Sequence, residues 1–230
     1  KRVRETYIKE RNLERQLGRN LSMGGSGQSA LWGHLCESYV FNKKLPLSYV
    51  YLSQATIRHP EYDCWSGSPD FTEPNTQTVC DVKCYEPKNF AEYNNVLKEN
   101  DTELFKKEFP AEYWQLISNA ILTGSKNIEA ILFMPYWSEL DEIRSFLNDL
   151  PIDEGSRYRF MNWTENSNLP YVPDNGSEYL NLNVYRFTAP QSDIDLLIQT
   201  VTDASKILIP RKAQPVIVSP SGFEGIIIAE

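Results

Sequence analysis

Hydrophobic and polar positions along the 230-residue chain change period several times, and each change marks an element. The first twenty residues have helix-forming composition and end near Gly18. After the glycine and serine connector of residues 23–29, Leu31, Leu35 and Tyr39 recur four apart, which predicts a helix to about Phe41 capped by Ser26 or Ser29. Residues 49–58, 62–65 and 78–85 combine β-branched and aromatic side chains and read as three strands. Residues 69–75 carry Pro, Asp, Glu and Asn, the chemistry of a turn between two strands of a hairpin. A polar, irregularly helical stretch at 87–109 follows. Pro110 then sits where a first-turn proline belongs, and the helix it opens ends at a C-cap glycine, Gly124.

Within that helix Trp114, Ile117 and Ile121 form an apolar stripe, with Gln115 and Asn119 beside it. Residues 127–135 read as a buried strand and 138–150 as a short amphipathic helix. A strand at 179–187 and a helix at 190–208 complete the pattern. Residues 137–178 form a loop-rich insertion, and the whole of 1–230 is expected to be one domain with a basic helical segment at about 1–20. The order predicts an α/β fold with a mixed central β-sheet flanked by helices.

Charge adds an asymmetry to this picture. The formal net charge is −8, yet residues 1–19 hold seven basic and three acidic side chains, a net of +4 that leaves −12 for the rest. An acidic body argues against non-specific nucleic-acid coating, while leaving room for local phosphate contacts and for carboxylates that hold a divalent metal. No run of 18 apolar residues is present, so a membrane span is not expected. The four cysteines, Cys36, Cys64, Cys80 and Cys84, lack paired zinc-site spacing and read as buried free thiols, which places the chain in a reducing, cytoplasmic setting. With only His34 and His59, histidine-based catalysis has little material.

The chemistry concentrates in residues 66–85. Strand alternation puts Cys80, Val82 and Cys84 on one face and Asp81, Lys83 and Tyr85 on the other. Asp81 and Lys83 are expected to share a site without forming a simple ion pair, and the hairpin returns Asp70 toward Asp81. Two adjacent carboxylates repel, and a divalent cation between them relieves the repulsion. D-x-K alone is more often the mark of a surface hairpin with an ion pair.

The wider pattern is more specific. The segments HPEYDCWSGSPDF, VCDVKCYEP and EYWQLISNAILTG resemble the three core blocks of the YqaJ-like viral recombinase family, the phage exonucleases of the PD-(D/E)xK nuclease superfamily. WGHLCE, ahead of them, matches that family's upstream acidic helix. The blocks fall in the family's order between about Trp32 and Gly124. The resemblance implies a restriction-endonuclease-like core and a Mg²⁺- or Mn²⁺-dependent DNA nuclease. Glu37, Asp70 and Asp81 would be metal ligands, Lys83 would position the water, and Gln115 would support the site. Phe71 departs from the glycine that often follows PD, and Asn119 stands where a related motif has tyrosine. Arg19, Ser22 and Ser26 are candidates for binding the terminal or scissile phosphate. The implied substrate is linear double-stranded DNA ends in phage-type recombination or repair. A single-strand annealing partner and a homo-oligomer are implied with it. The alternatives are a restriction-like or structure-specific endonuclease, or a non-catalytic DNA-end binding subunit.

Overall fold

The computed structural model describes residues 2–18, 27–52 and 55–209. Contacts divide the chain into two compact units, residues 1–23 with 203–230, and residues 24–202. In the first, helix α1 (Arg2–Leu17) closes at Gly18, whose φ of 71° takes the left-handed conformation that glycine adopts without strain. Arg11 pairs with Glu14 at 2.7 Å, and the backbone N–H of Ile209 donates to Asn12 Oδ1 at 2.9 Å.

The second unit begins with α2 (Gln28–Lys43), whose N-cap is Gly27 with no side-chain cap. Neither expected serine therefore serves: Ser29 lies inside the helix, and Ser26 falls outside the described residues. A five-stranded sheet follows in the order β1 (Val50–Tyr51), β4 (Phe71–Glu73), β5 (Thr78–Lys83), β6 (Asn127–Phe133), β7 (Leu182–Thr188). Only β5 and β6 run parallel; the other neighbours are antiparallel. A parallel pair needs a long crossover, and α3 (Pro87–Leu97), α4 (Thr102–Glu108) and α5 (Pro110–Thr123) supply it. Each start, and the end of α5, has a local cause. Pro87 and Pro110 occupy first turns where no N–H is needed, Asp101 accepts from the N–H groups of Glu103 and Leu104, and Gly124 ends α5 at φ 68°.

The sheet buries both faces, which is why β6 reads as an almost unbroken apolar run. On one face Phe71, Cys80, Val82, Ile131 and Phe133 pack against α2 and α6 (Leu140–Phe146) through Leu35, Tyr39, Leu140 and Ile143. On the other, Val79, Ile128, Ala130 and Leu132 pack against α3, α4 and α5 through Phe90, Tyr93, Phe105, Tyr113 and Ile117, with Ile194 and Leu197 of α8 (Gln191–Ser205) at the margin. The expected mixed α/β sandwich is the observed fold. Among the described residues no helix is long and apolar enough to cross a membrane.

Several expected elements are corrected. The stretch 49–58 splits into β1 and a separate strand, β2 (Ile57–Arg58), which pairs with β3 (Ser66–Gly67) in a second sheet. Residues 62–65 are not a strand; Trp65 is instead buried, with its Nε1–H donating to Ser118 Oγ at 2.8 Å. Of residues 69–75, expected as a turn, Phe71–Glu73 instead form β4 between β1 and β5, and only Pro74 and Asn75 belong to the turn. The turn lies beyond it, where Gln77 takes φ 52° and Glu73 accepts from Asn75 and from the N–H of Thr76. The insertion holds short helical pieces, among them α7 (Ile152–Gly155), and sends Tyr158, Met161 and Leu169 into the core.

Candidate active site

The alternation of β5 divides its side chains as the sequence expects. Cys80 and Val82 enter the α2 face of the core with Cys84 beside them, and Asp81 and Lys83 turn toward α5. All four cysteines are free thiols, and burial raises the Cys80 thiol above its usual range. Asp81 is only 2% exposed. A carboxylate so buried needs compensation. Lys83 Nζ lies 2.6 Å from Asp81 Oδ2, and Gln115 Nε2 donates to Asp81 Oδ1 at 3.1 Å. The Lys83 ammonium also donates to Gln115 Oε1 at 3.2 Å, closing a three-membered network. The expected absence of a simple Asp81–Lys83 ion pair is thus corrected. Two residues apart on one face of a strand, the side chains meet directly.

Asp70 precedes β4, and its Oδ2 accepts the backbone N–H of Val82 at 2.7 Å. Its carboxyl is pushed up to about 8 by burial first, then by the neighbouring Asp81 and Glu37 carboxylates; the Val82 N–H and the Lys83 ammonium oppose the rise. Glu37 comes from the middle of α2 and is 8% exposed. Burial raises its pKa, with Asp81 adding to the rise, while the proximity of the Tyr51 hydroxyl and of His34 lowers it. Burial also pulls down the Lys83 pKa, but Asp81 and Asp70 outweigh it, so the net shift is upward and the side chain remains an ammonium at neutral pH. Tyr85 donates to Glu112 Oε1 at 3.2 Å beside this cluster.

The structure therefore brings Asp70, Asp81, Lys83, Gln115 and Glu37 into one neighbourhood, three in direct contact and the other two within electrostatic range. Arg19, Ser22 and Ser26 lie outside the described residues. Sequence reasoning missed Tyr51 and His34 as neighbours of Glu37. His34 carried a weak signal, one turn before Glu37 on the same helix. Tyr51 carried none, because its contact depends on how an edge strand docks beside α2.

Among the described residues no group of three or more His, Cys, Asp and Glu side chains stands gathered around a single metal position. The donor set nevertheless fits a hard divalent cation. It offers carboxylate oxygens, and their mutual repulsion, visible in the raised Asp70, is what such a cation relieves. Each Asp81 oxygen makes one protein contact and keeps a lone pair to spare.

No family model matches the sequence, and no curated protein matches it. Solved structures do. Two crystal structures of LHK-Exo, an alkaline exonuclease from Laribacter hongkongensis, one of them in complex with dAMP, match at a TM-score of 0.50 and 14% identity. Each match covers 88% of this chain and 78% of that one. A phage-related exonuclease from Haemophilus somnus 129PT matches at a TM-score of 0.45 and 12% identity, over 88% of this chain and 79% of that one. The likeness to LHK-Exo shows a shared fold, the mixed α/β restriction-endonuclease-like one.

Proposed function

We propose that this protein is a DNA nuclease dependent on Mg²⁺ or Mn²⁺, an exonuclease on linear double-stranded ends. The observation that carries the reading is the Asp81–Lys83–Gln115 network with Asp70 and Glu37 packed beside it. The fold shared with LHK-Exo, itself an alkaline exonuclease, supports it.

Glu37, Asp70 and Asp81 would hold the cation. When bound, it lowers the pKa of a coordinated water and stabilises charge on the phosphate. The protein's own groups do the rest. Lys83 is an ammonium and takes no proton from water; two of its three N–H donors go to Asp81 and Gln115, and the third remains for the attacking water or a phosphate oxygen. The Gln115 amide accepts from Lys83 and donates to Asp81, which ties both groups to one side chain. Asp70 is held by the Val82 N–H, so its second oxygen is available to a ligand.

The test is digestion of linear and covalently closed double-stranded DNA with Mg²⁺ or with EDTA. Loss of linear DNA alone, abolished by EDTA and by Asp81→Ala, is the expected result. Cutting of closed circles identifies an endonuclease instead. Retardation of DNA without cleavage in Mg²⁺ identifies a binding subunit and sinks the enzyme reading.

A further inference from the structure

The Lys83 contact with Gln115 is not the last between β5 and α5. Two residues beyond Lys83, the Tyr85 hydroxyl donates to Glu112 Oε1 at 3.2 Å. Residues two apart on an extended chain share a face, and residues three apart on a helix lie one turn apart on one face. The contacts therefore form two successive rungs between the same elements, Lys83 with Gln115 and Tyr85 with Glu112.

The second rung puts a carboxylate next to the site's ammonium. Glu112 is near enough for its charge to add to the rise in the Lys83 pKa, yet among the described residues its hydrogen bond comes from Tyr85. Gln115 offers Lys83 only a neutral amide oxygen, at 3.2 Å. A carboxylate would attract the ammonium more strongly, because both partners would then carry charge. Asp81 and Gln115 occupy two of the three Lys83 donors, so a Glu112 released from Tyr85 would take the third or displace Gln115. The Tyr85 phenol holds it one rung away. The phenol is itself held by packing: its ring lies 5.4 Å from the ring of the buried Tyr93 on α3, with the planes at 57°.

We propose that Tyr85 is a positioning residue that keeps the Glu112 carboxylate off Lys83, which leaves the third donor of the ammonium for the attacking water or a phosphate oxygen. The catalytic part of this inference rests on the nuclease reading of the same site; the side-chain arrangement does not.

Tyr85→Phe tests it, because it keeps the ring against Tyr93 and deletes only the hydroxyl. Crystal structures of the parent and of Tyr85→Phe, both in EDTA, locate Glu112. Cleavage of linear double-stranded DNA in Mg²⁺ is then timed for the parent, Tyr85→Phe, Glu112→Ala and the double variant, each checked for folding by circular dichroism. The expected crystal result is a Glu112 oxygen within about 3 Å of Lys83 Nζ in Tyr85→Phe. Cleavage by that variant should be slower about 10- to 100-fold. The double variant should cleave faster than Tyr85→Phe and within about twofold of Glu112→Ala, since the hydroxyl has no carboxylate left to hold. A Glu112 that stays off Lys83 in the Tyr85→Phe crystal overturns the proposal. So does a loss of rate that Glu112→Ala fails to relieve, because Tyr85 would then be a strut between the two elements and nothing more. A parent that cleaves no DNA overturns the nuclease reading alone; Glu112 on Lys83 in the variant crystal still supports the role of Tyr85, and Glu112 elsewhere still overturns it.

Discussion

Replacing Asp70 by Asn should make the metal-free protein more stable and abolish its metal-dependent activity. The Asp70 carboxyl is pushed up to about 8, first by burial and then by Asp81 and Glu37. In the unfolded chain an aspartate titrates near ~3.9. Between those values the folded protein holds a proton that the unfolded chain has released. Metal-free stability therefore falls as pH rises from about 4 to about 8 and levels off above that range. One proton supplies a slope of at most ~1.4 kcal/mol per pH unit. Because the side chain is only half-buried and coupled to its neighbours, about 1–3 kcal/mol across the window is the reasonable magnitude. An Asn oxygen still accepts the Val82 N–H that Asp70 Oδ2 accepts at 2.7 Å, so the substitution removes charge and little else. Thermal unfolding in EDTA at pH 8 should place Asp70→Asn above the parent by about 2–4 °C for each kcal/mol, with the two converging at pH 5. Cleavage in Mg²⁺ should be lost. A variant that melts below the parent at pH 8 in EDTA, or that keeps the parent's pH slope, refutes the reasoning.

Lys83→Ala strands the Asp81 carboxylate, 2% exposed, without its cation, and should abolish cleavage while lowering stability in EDTA by about 2–4 kcal/mol in denaturant melts. Gln115→Leu removes both hydrogen bonds of the bridging amide and should lower the cleavage rate about 10- to 100-fold, with the protein still folded by circular dichroism. Gly67→Ala would place a Cβ 2.5 Å from Asn119 Oδ1 and 2.9 Å from Leu122 Cδ1, so the side chains of the buried Asn119 and of Leu122 must shift. It should cost about 1–3 kcal/mol by chemical denaturation.

How much the sequence disclosed depended on whether an element owes its form to its own residues. Helix α5 was legible from end to end, because Pro110 and Gly124 impose its limits locally. Strand β5 was legible because its alternation separates thiols from ions, and the same alternation brought Asp81, Lys83 and Gln115 together. Strand β4 was not. Its three residues, Phe71–Glu73, sit among Pro, Asp and Asn that read as a turn, and they are extended only because β1 and β5 pair with them on both sides. The insertion was illegible for a related reason: its one-turn helices are too short to show a period, although Tyr158, Met161 and Leu169 fill the core. At the site, Asp70, Asp81 and Lys83 could be placed by a hairpin and a strand, but the approach of Tyr51 to Glu37 arises from packing between elements distant in sequence.

The most direct measurement is a crystal structure of the protein soaked in Mn²⁺, with anomalous scattering recorded at the manganese edge. The expected result is an anomalous peak bound by Asp70 and Asp81, with Glu37 alongside, that vanishes in Asp81→Ala. Manganese absent from these carboxylates, or bound equally well after the substitution, would contradict it.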